Sequence, residues 1–194
     1  MSRQGTVDPT GADSARTTPR GENVLVLASS MDAAADEPCR SLTSDADALV
    51  VVSLSESPDR RLRAITADGR RPAQVGAISC DTTRGAAAAS GSSQSAGGSA
   101  IVTVPSPADL TGIGMHAERL LTRFEGVGRV ALCVHSLTTL LQYADTRAVF
   151  RFGHALTRKV RETGATAYFH LDPATVDQRT LRTMRSLFDR TVEV

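Results

Sequence analysis

Two histidines stand near the polar ends of short apolar runs. His135 closes the run Val130–Val134, and His170 lies in "ATAYFHL" with Asp172 two positions beyond. Imidazole titrates close to neutral pH and ligates transition metals, so two rings beside a carboxylate suit acid–base work or a Zn²⁺-type site. His135, His170 and Asp172 become a candidate metal set only where the fold brings the two runs side by side. Their local spacing offers neither HxH nor HExxH. The competing reading makes both rings polar strand-end groups bonded to loop backbone. Ser136 follows His135 without a GxSxG elbow around it, so it reads as the N-cap of a helix opening at Leu137. Ser29 and Ser30 follow the run "NVLVLA" and offer hydroxyls, and Glu56 in "SLSESP" offers a carboxylate. The ligand-binding candidates are thus Ser29, Ser30, Glu56, His135, Ser136, His170 and Asp172; none is assigned a catalytic role. His116 and His154 fall within helical segments and read as surface or half-buried residues.

The elements that must position these residues alternate along the chain. Asn23–Leu27, "ALVVVSLSES", "AQVGAISC", "IVTV", "VALCV", "ATAYFHL" and "DRTVEV" read as strands. The continuous apolar type of the first suits a strand buried on both faces. Between them lie helical segments. One is interrupted or restarted at Pro38, and the next has Ser57 as N-cap, Pro58 at the first position and Gly69 as stop. "SLTTLLQYADTRAVFRFGHALTRKVRETG" is one long helix or a broken pair, stopped by Gly164. Its stripe Leu137, Leu140, Leu141, Ala144, Ala148, Phe152, Ala155, Leu156 and Val160 is assigned to the core. Arg147, Arg151, Arg158 and Arg161 lie on the other face, as a solvated surface or a partner surface. This βα alternation predicts a mostly parallel sheet with helices on both faces. Residues 1–21 are expected to be a disordered tail, 22–194 a single domain, and the Ala/Gly/Ser-rich segment 81–100 a flexible loop.

Bulk composition narrows the function classes. Basic and acidic residues number 22 and 21, a net charge of +1, which argues against a general nucleic-acid binder. Aromatics are 4% and Trp is absent, so Val, Leu and Ala must fill the core. Three cysteines, Cys39, Cys80 and Cys133, lack CxxC spacing and predict free thiols in a reducing cytoplasm. No stretch approaches a membrane span, and "MSRQGTVDPTGADSARTTPRGE" lacks the apolar region of a secretory signal.

With these motifs in order, residues 22–194 resemble the RecA/KaiC-like ATPase core. "VLVLASS" is similar to the first strand entering the phosphate loop, and "VVSLSESPDRRL" to the second strand and following helix. "RVALCVHSLTTLL" is similar to the Walker B strand, "RETGATAYFHLDP" to the sensor strand, and "SLFDRTVEV" to the last helix-to-strand passage. The whole chain is similar to uncharacterised haloarchaeal proteins allied to KaiC. The resemblance implies a RecA-like three-layer sandwich. It also places His135 and His170 at the ends of adjacent strands, with Glu56 ending a strand on the other side.

The ATPase chemistry is missing at the positions that matter. A phosphate loop needs glycines, a Lys for the β/γ-phosphates and a Ser/Thr for Mg²⁺. After the first strand the chain has "ASSMDAAADEPC", with Asp32, Asp36 and Glu37 where triphosphate would approach. Ser29, Ser30 and a helix N-terminus remain as weak anion partners. His135 replaces the Walker B Asp, and imidazole is a poor Mg²⁺ ligand. No cofactor is expected, and Mg-ATP hydrolysis is argued against. The implied function is a non-hydrolysing regulatory or signal-transduction module acting through a protein partner or self-association. The alternatives are a zinc or small-ligand site on His135/His170, with or without enzymatic activity, and residual nucleotide binding.

Overall fold

Alternate residues along the central strands feed two separate apolar cores. Leu25, Val50, Val52, Leu132, Val134 and Phe169 join one cluster; Val24, Val26, Leu49, Val51, Cys133 and Tyr168 join the other. A strand presents successive side chains to opposite faces, so two cores mean a sheet covered on both sides. The computed structural model describes residues 20–66, 71–80, 94–96 and 99–194. It is an α/β three-layer structure. Its strands are β1 (Asn23–Leu27), β2 (Ala48–Ser53), β3 (Gln74–Cys80), β4 (Gln94–Ala96), β5 (Ser99–Val104), β6 (Val130–His135), β7 (Thr166–Leu171) and β8 (Arg190–Glu193). They lie in the order β4-β5-β3-β2-β6-β7-β1-β8. Seven strands are mutually parallel, and β4 pairs antiparallel to β5 at the edge.

Among the described residues six α-helices connect them: α1 (Glu37–Ser44), α2 (Pro58–Ile65), α3 (Leu110–Arg123), α4 (Leu137–Tyr143), α5 (Thr146–Thr163) and α6 (Gln178–Arg185). Side chains of α1 and α2, such as Cys39, Leu62 and Ile65, pack into one core. Those of α3 to α6, such as Ile113, Leu140, Val160 and Leu181, pack into the other. Local signals act as the sequence predicts. Pro38 sits in the first turn of α1, directly after a 3-10 turn at Ala33–Asp36, so the chain restarts its helix at the proline. Ser57 caps α2, its hydroxyl accepting from the Arg60 N–H. Gly164 takes the left-handed φ of 68° that closes α5. Gly69 lies outside the described residues, and α2 ends at Ile65.

The segment after β6 is the broken pair, because Ala144 and Asp145 are extended and Asp145 starts a new cap. That restart resets the helical phase. The fully covered line on α5 is Val149, Phe152, Gly153, Leu156 and Val160. Ala148 and Ala155, assigned to the core from an unbroken stripe, are only half-buried. Within the segment read as a flexible loop, Gln94–Ala96 forms β4 and β5 already begins at Ser99; residues 81–93 and 97–98 lie outside the described residues, as does the tail up to residue 19. Among the described residues no helix is long and apolar enough to cross a membrane.

Candidate functional site

Parallel pairing brings the carboxyl ends of β2, β6, β7 and β1 to one edge, where open α/β sheets bind ligands. Register aligns Ser53 with His135 and Val26 with His170. His135 shares a face with Cys133, and His170 shares one with Tyr168, so both rings lie on the α1/α2 side. Their centroids are 5.1 Å apart with planes tilted by 49°.

The residue that organises this edge comes from α2. Arg61 is 7% exposed. Its Nη1 donates to Asp36 at the end of the 3-10 turn, and its Nη2 pairs with Glu56 Oε1. Nη2 also lies 3.2 Å from both ring nitrogens of His135. Glu56 is held further by the Ser53 hydroxyl, which donates to its carbonyl at 2.8 Å, and by Arg60 at 3.3 Å from Oε2. One cation thus joins the loop after β1, the loop after β2 and the end of β6. Beside it, His170 Nε2 lies 3.2 Å from Cys39 Sγ on α1. His170 Nδ1 and Arg61 Nε are buried without a hydrogen-bond partner among the described residues.

The electrostatics make both rings neutral. Burial first, and the Arg61 charge second, push His135 down to about 3. Burial, then His135, then Arg61 push His170 down to about 3, against a small opposing pull from Asp36. A ring with that pKa carries no proton at neutral pH, so it is a weak base and has no proton to give as a general acid. Burial raises the Cys39 thiol well above its ordinary value, reinforced by Cys133 beside it. A thiol in that state is a poor nucleophile. Taken as formal charges, Arg60 and Arg61 balance Asp36 and Glu56, so the clamp offers a triphosphate no unpaired cation.

The other sequence candidates serve the loops. Asp172 is buried at the end of β7, and its carboxylate accepts from the N–H groups of Ser30 (2.8 Å) and Ala174 (3.0 Å). The Ser30 bond first, outweighing burial, holds it below the usual carboxylate range. Its own N–H donates to Thr138 Oγ1 at 2.8 Å. Asp172 therefore ties the β1 loop to the β7 end rather than joining the two histidines. Among the described residues no group of three or more His, Cys, Asp or Glu is arranged to hold a metal ion. Ser29 and Ser30 are exposed, and Ser29 Oγ accepts from the Met31 N–H at 3.3 Å. Ser136 is the N-cap of α4, accepting from the Thr139 N–H at 3.3 Å, and follows His135 through a cis peptide bond. Sequence reasoning missed Arg61. The available signal was its place on the buried side of α2, one residue before Leu62 and four before Ile65. Asp36 was legible as a carboxylate after the first strand, but its pairing with Arg61, and that of Cys39 with His170, were not, because the partners are remote in sequence.

Residues 21–194 match a family described as a family of unknown function, DUF7504. The chain belongs to this family. No curated protein matches it. Among solved structures it is similar to two proteins of the archaeon Pyrococcus horikoshii. One is the uncharacterised protein PH0321, solved in complex with an unknown peptide. It is 11% identical with a TM-score of 0.62, over 91% of this chain and 78% of the other. The second is PH0250, 13% identical with a TM-score of 0.58, over 91% of this chain and 83% of the other. At such identities the likeness is one of fold.

Proposed function

We propose that this DUF7504 member is a RecA/KaiC-like module that does not hydrolyse nucleotide and works through protein contacts. The carrying observation is the Arg61 clamp. The sheet edge that would hold a polarised phosphate is filled by the chain's own guanidinium, already paired with Asp36 and Glu56. The adjacency of β6 and β7 supports the RecA-like reading, since the Walker B strand neighbours the sensor strand there. The loop after β1, without Gly or Lys, supports the loss of phosphate binding. A role in protein contacts agrees with the peptide held by the similar PH0321 fold.

Phosphate release from Mg-ATP tests the hydrolysis half, with Glu56→Gln as comparison. The expected outcome is no turnover above the buffer blank in either protein. A tight ligand at one hundred times its Kd stabilises the native state by about 2.7 kcal/mol, so a thermal-shift series with nucleotides reads binding directly. Turnover in the native protein that disappears in Glu56→Gln overturns the reading.

One observation favours a second reading, a soft-metal site on the neutral histidines. His170 Nδ1 is buried and unpartnered among the described residues. Zinc at one per chain in protein purified without a His tag, lost in both His135→Ala and His170→Ala, decides for it.

A further inference from the structure

On the opposite face of the sheet, the contact between α3 and α5 leaves an open groove of about 540 Å³. Its floor is apolar, formed by Leu110, Gly114, Met115, Phe152 and Ala155. Met115 is 48% exposed, one of few large apolar side chains left in solvent. The groove continues into a second hollow of about 520 Å³ that shares Met115 and Glu118. Its rim is cationic: Arg151 borders the first hollow, and Arg119, Arg123 and Lys159 border the second.

These four cations have no ion-pair partner among the described residues. Elsewhere on the surface, arginines 40, 129, 158, 161, 185 and 190 each meet a carboxylate, whereas 63, 147, 179 and 182 have no salt bridge among the described residues; what sets the four apart is that they border one apolar groove. On the groove side the carboxylates are two. Glu118 is one; the other, Asp109, is occupied in capping α3, its Oδ1 accepting from the Gly112 N–H at 2.8 Å. An apolar floor under an unbalanced positive rim is complementary to a segment with apolar anchors and acidic flanks.

We propose that the α3/α5 groove docks an acidic, amphipathic segment of a partner protein, laid with its apolar side on Met115, Leu110 and Ala155 and its carboxylates toward Arg119, Arg123, Arg151 and Lys159. The proposal rests on the protein-contact reading above and gives it a surface and a partner chemistry. The occupant is helical in the simplest fit. α3 is 14 residues long, about 21 Å, and a helix of equal length lies along it.

The probe is a synthetic 14-residue-scale helix with Leu at helical spacing and Glu on its remaining face. Its control carries Lys in place of Glu. Binding to the full chain is read by fluorescence anisotropy and by methyl NMR of the four methionines. The acidic peptide binds, more weakly as salt rises, and shifts the Met115 methyl while leaving buried Met184 unmoved. The double variant Arg119→Glu/Arg151→Glu changes two exposed residues and keeps the native thermal midpoint. It weakens binding about tenfold or more. No binding, equal binding of the Lys peptide, or unchanged affinity in the double variant overturns the groove. A shift at Met31, beside the sheet edge, instead of Met115 also overturns it, while leaving the protein-contact reading standing. ATP turnover has the converse effect and strikes that reading alone.

Discussion

Arg61→Met removes the charge of the clamp and keeps most of the apolar stem. The Arg61 side chain is 8% exposed, and those of Asp36 and Glu56 are 21% and 19% exposed, so water screens the pairs little. Removing one partner of such a pair leaves uncompensated buried charge, at a cost of about 3–5 kcal/mol. Here Asp36 is stranded, while Glu56 keeps the exposed Arg60 at 3.3 Å, which places the variant within that range. For a domain of this size each kcal/mol moves the midpoint by about 2–4 °C, so the expected loss is about 6–20 °C. The assay is urea unfolding at pH 7.5 by circular dichroism, with a thermal scan beside it. Adding Asp36→Asn and Glu56→Gln to Arg61→Met neutralises both carboxylates and recovers most of the loss. A single variant within about 1 kcal/mol of the native protein refutes the reasoning, as does a triple variant no more stable than the single one.

Two further outcomes follow from the same site. His135 and His170 are held to about 3 in the folded chain and titrate near 6.5 when unfolded. Between those values the unfolded chain binds more protons, so stability is level above pH 6.5 and falls as pH drops below it. The slope is up to about 1.4 kcal/mol per pH unit for each ring. Urea midpoints at pH 7.5, 6 and 5 measure it; His135→Gln and His170→Gln each flatten it, and equal stability at pH 5 and 7.5 contradicts it. Thiol labelling at pH 8 reports the cysteines. Cys39 and Cys133 are 2% and 1% exposed, and burial first pushes half-buried Cys80 up to about 12. All three react slowly in the native chain and fast in denaturant; rapid native labelling of Cys39 or Cys133 contradicts the packing.

The sequence was most legible where the physics is local. Apolar runs mark the central strands β1, β2, β6 and β7, because strands buried on both faces need no polar alternation. Caps at Ser57 and Ser136 and the stop at Gly164 are visible because each bond spans a few residues. The phase of α5 was not legible. Both a continuous and a broken helix fit the apolar residues around 144, and only the packing of Val149 decides. β4 was hidden because its Gln-Ser-Ala sequence has no strand signal apart from the edge it pairs with.

The candidate site divides along the same line. By itself the sequence determined that no glycine- and lysine-bearing phosphate-loop pattern follows the first apolar run and that two histidines stand near the ends of apolar runs, since those facts are residue types at fixed positions. Tertiary structure decided what fills the space. Asp36, Glu56, Arg61 and His135 span a hundred residues of chain, and Cys39 and His170 are 131 apart. Parallel crossovers, not local propensity, bring them to one edge. Burial there makes both imidazoles neutral and commits Arg61 to internal carboxylates, and both effects come from the dielectric surroundings that only the packed sheet and helices create.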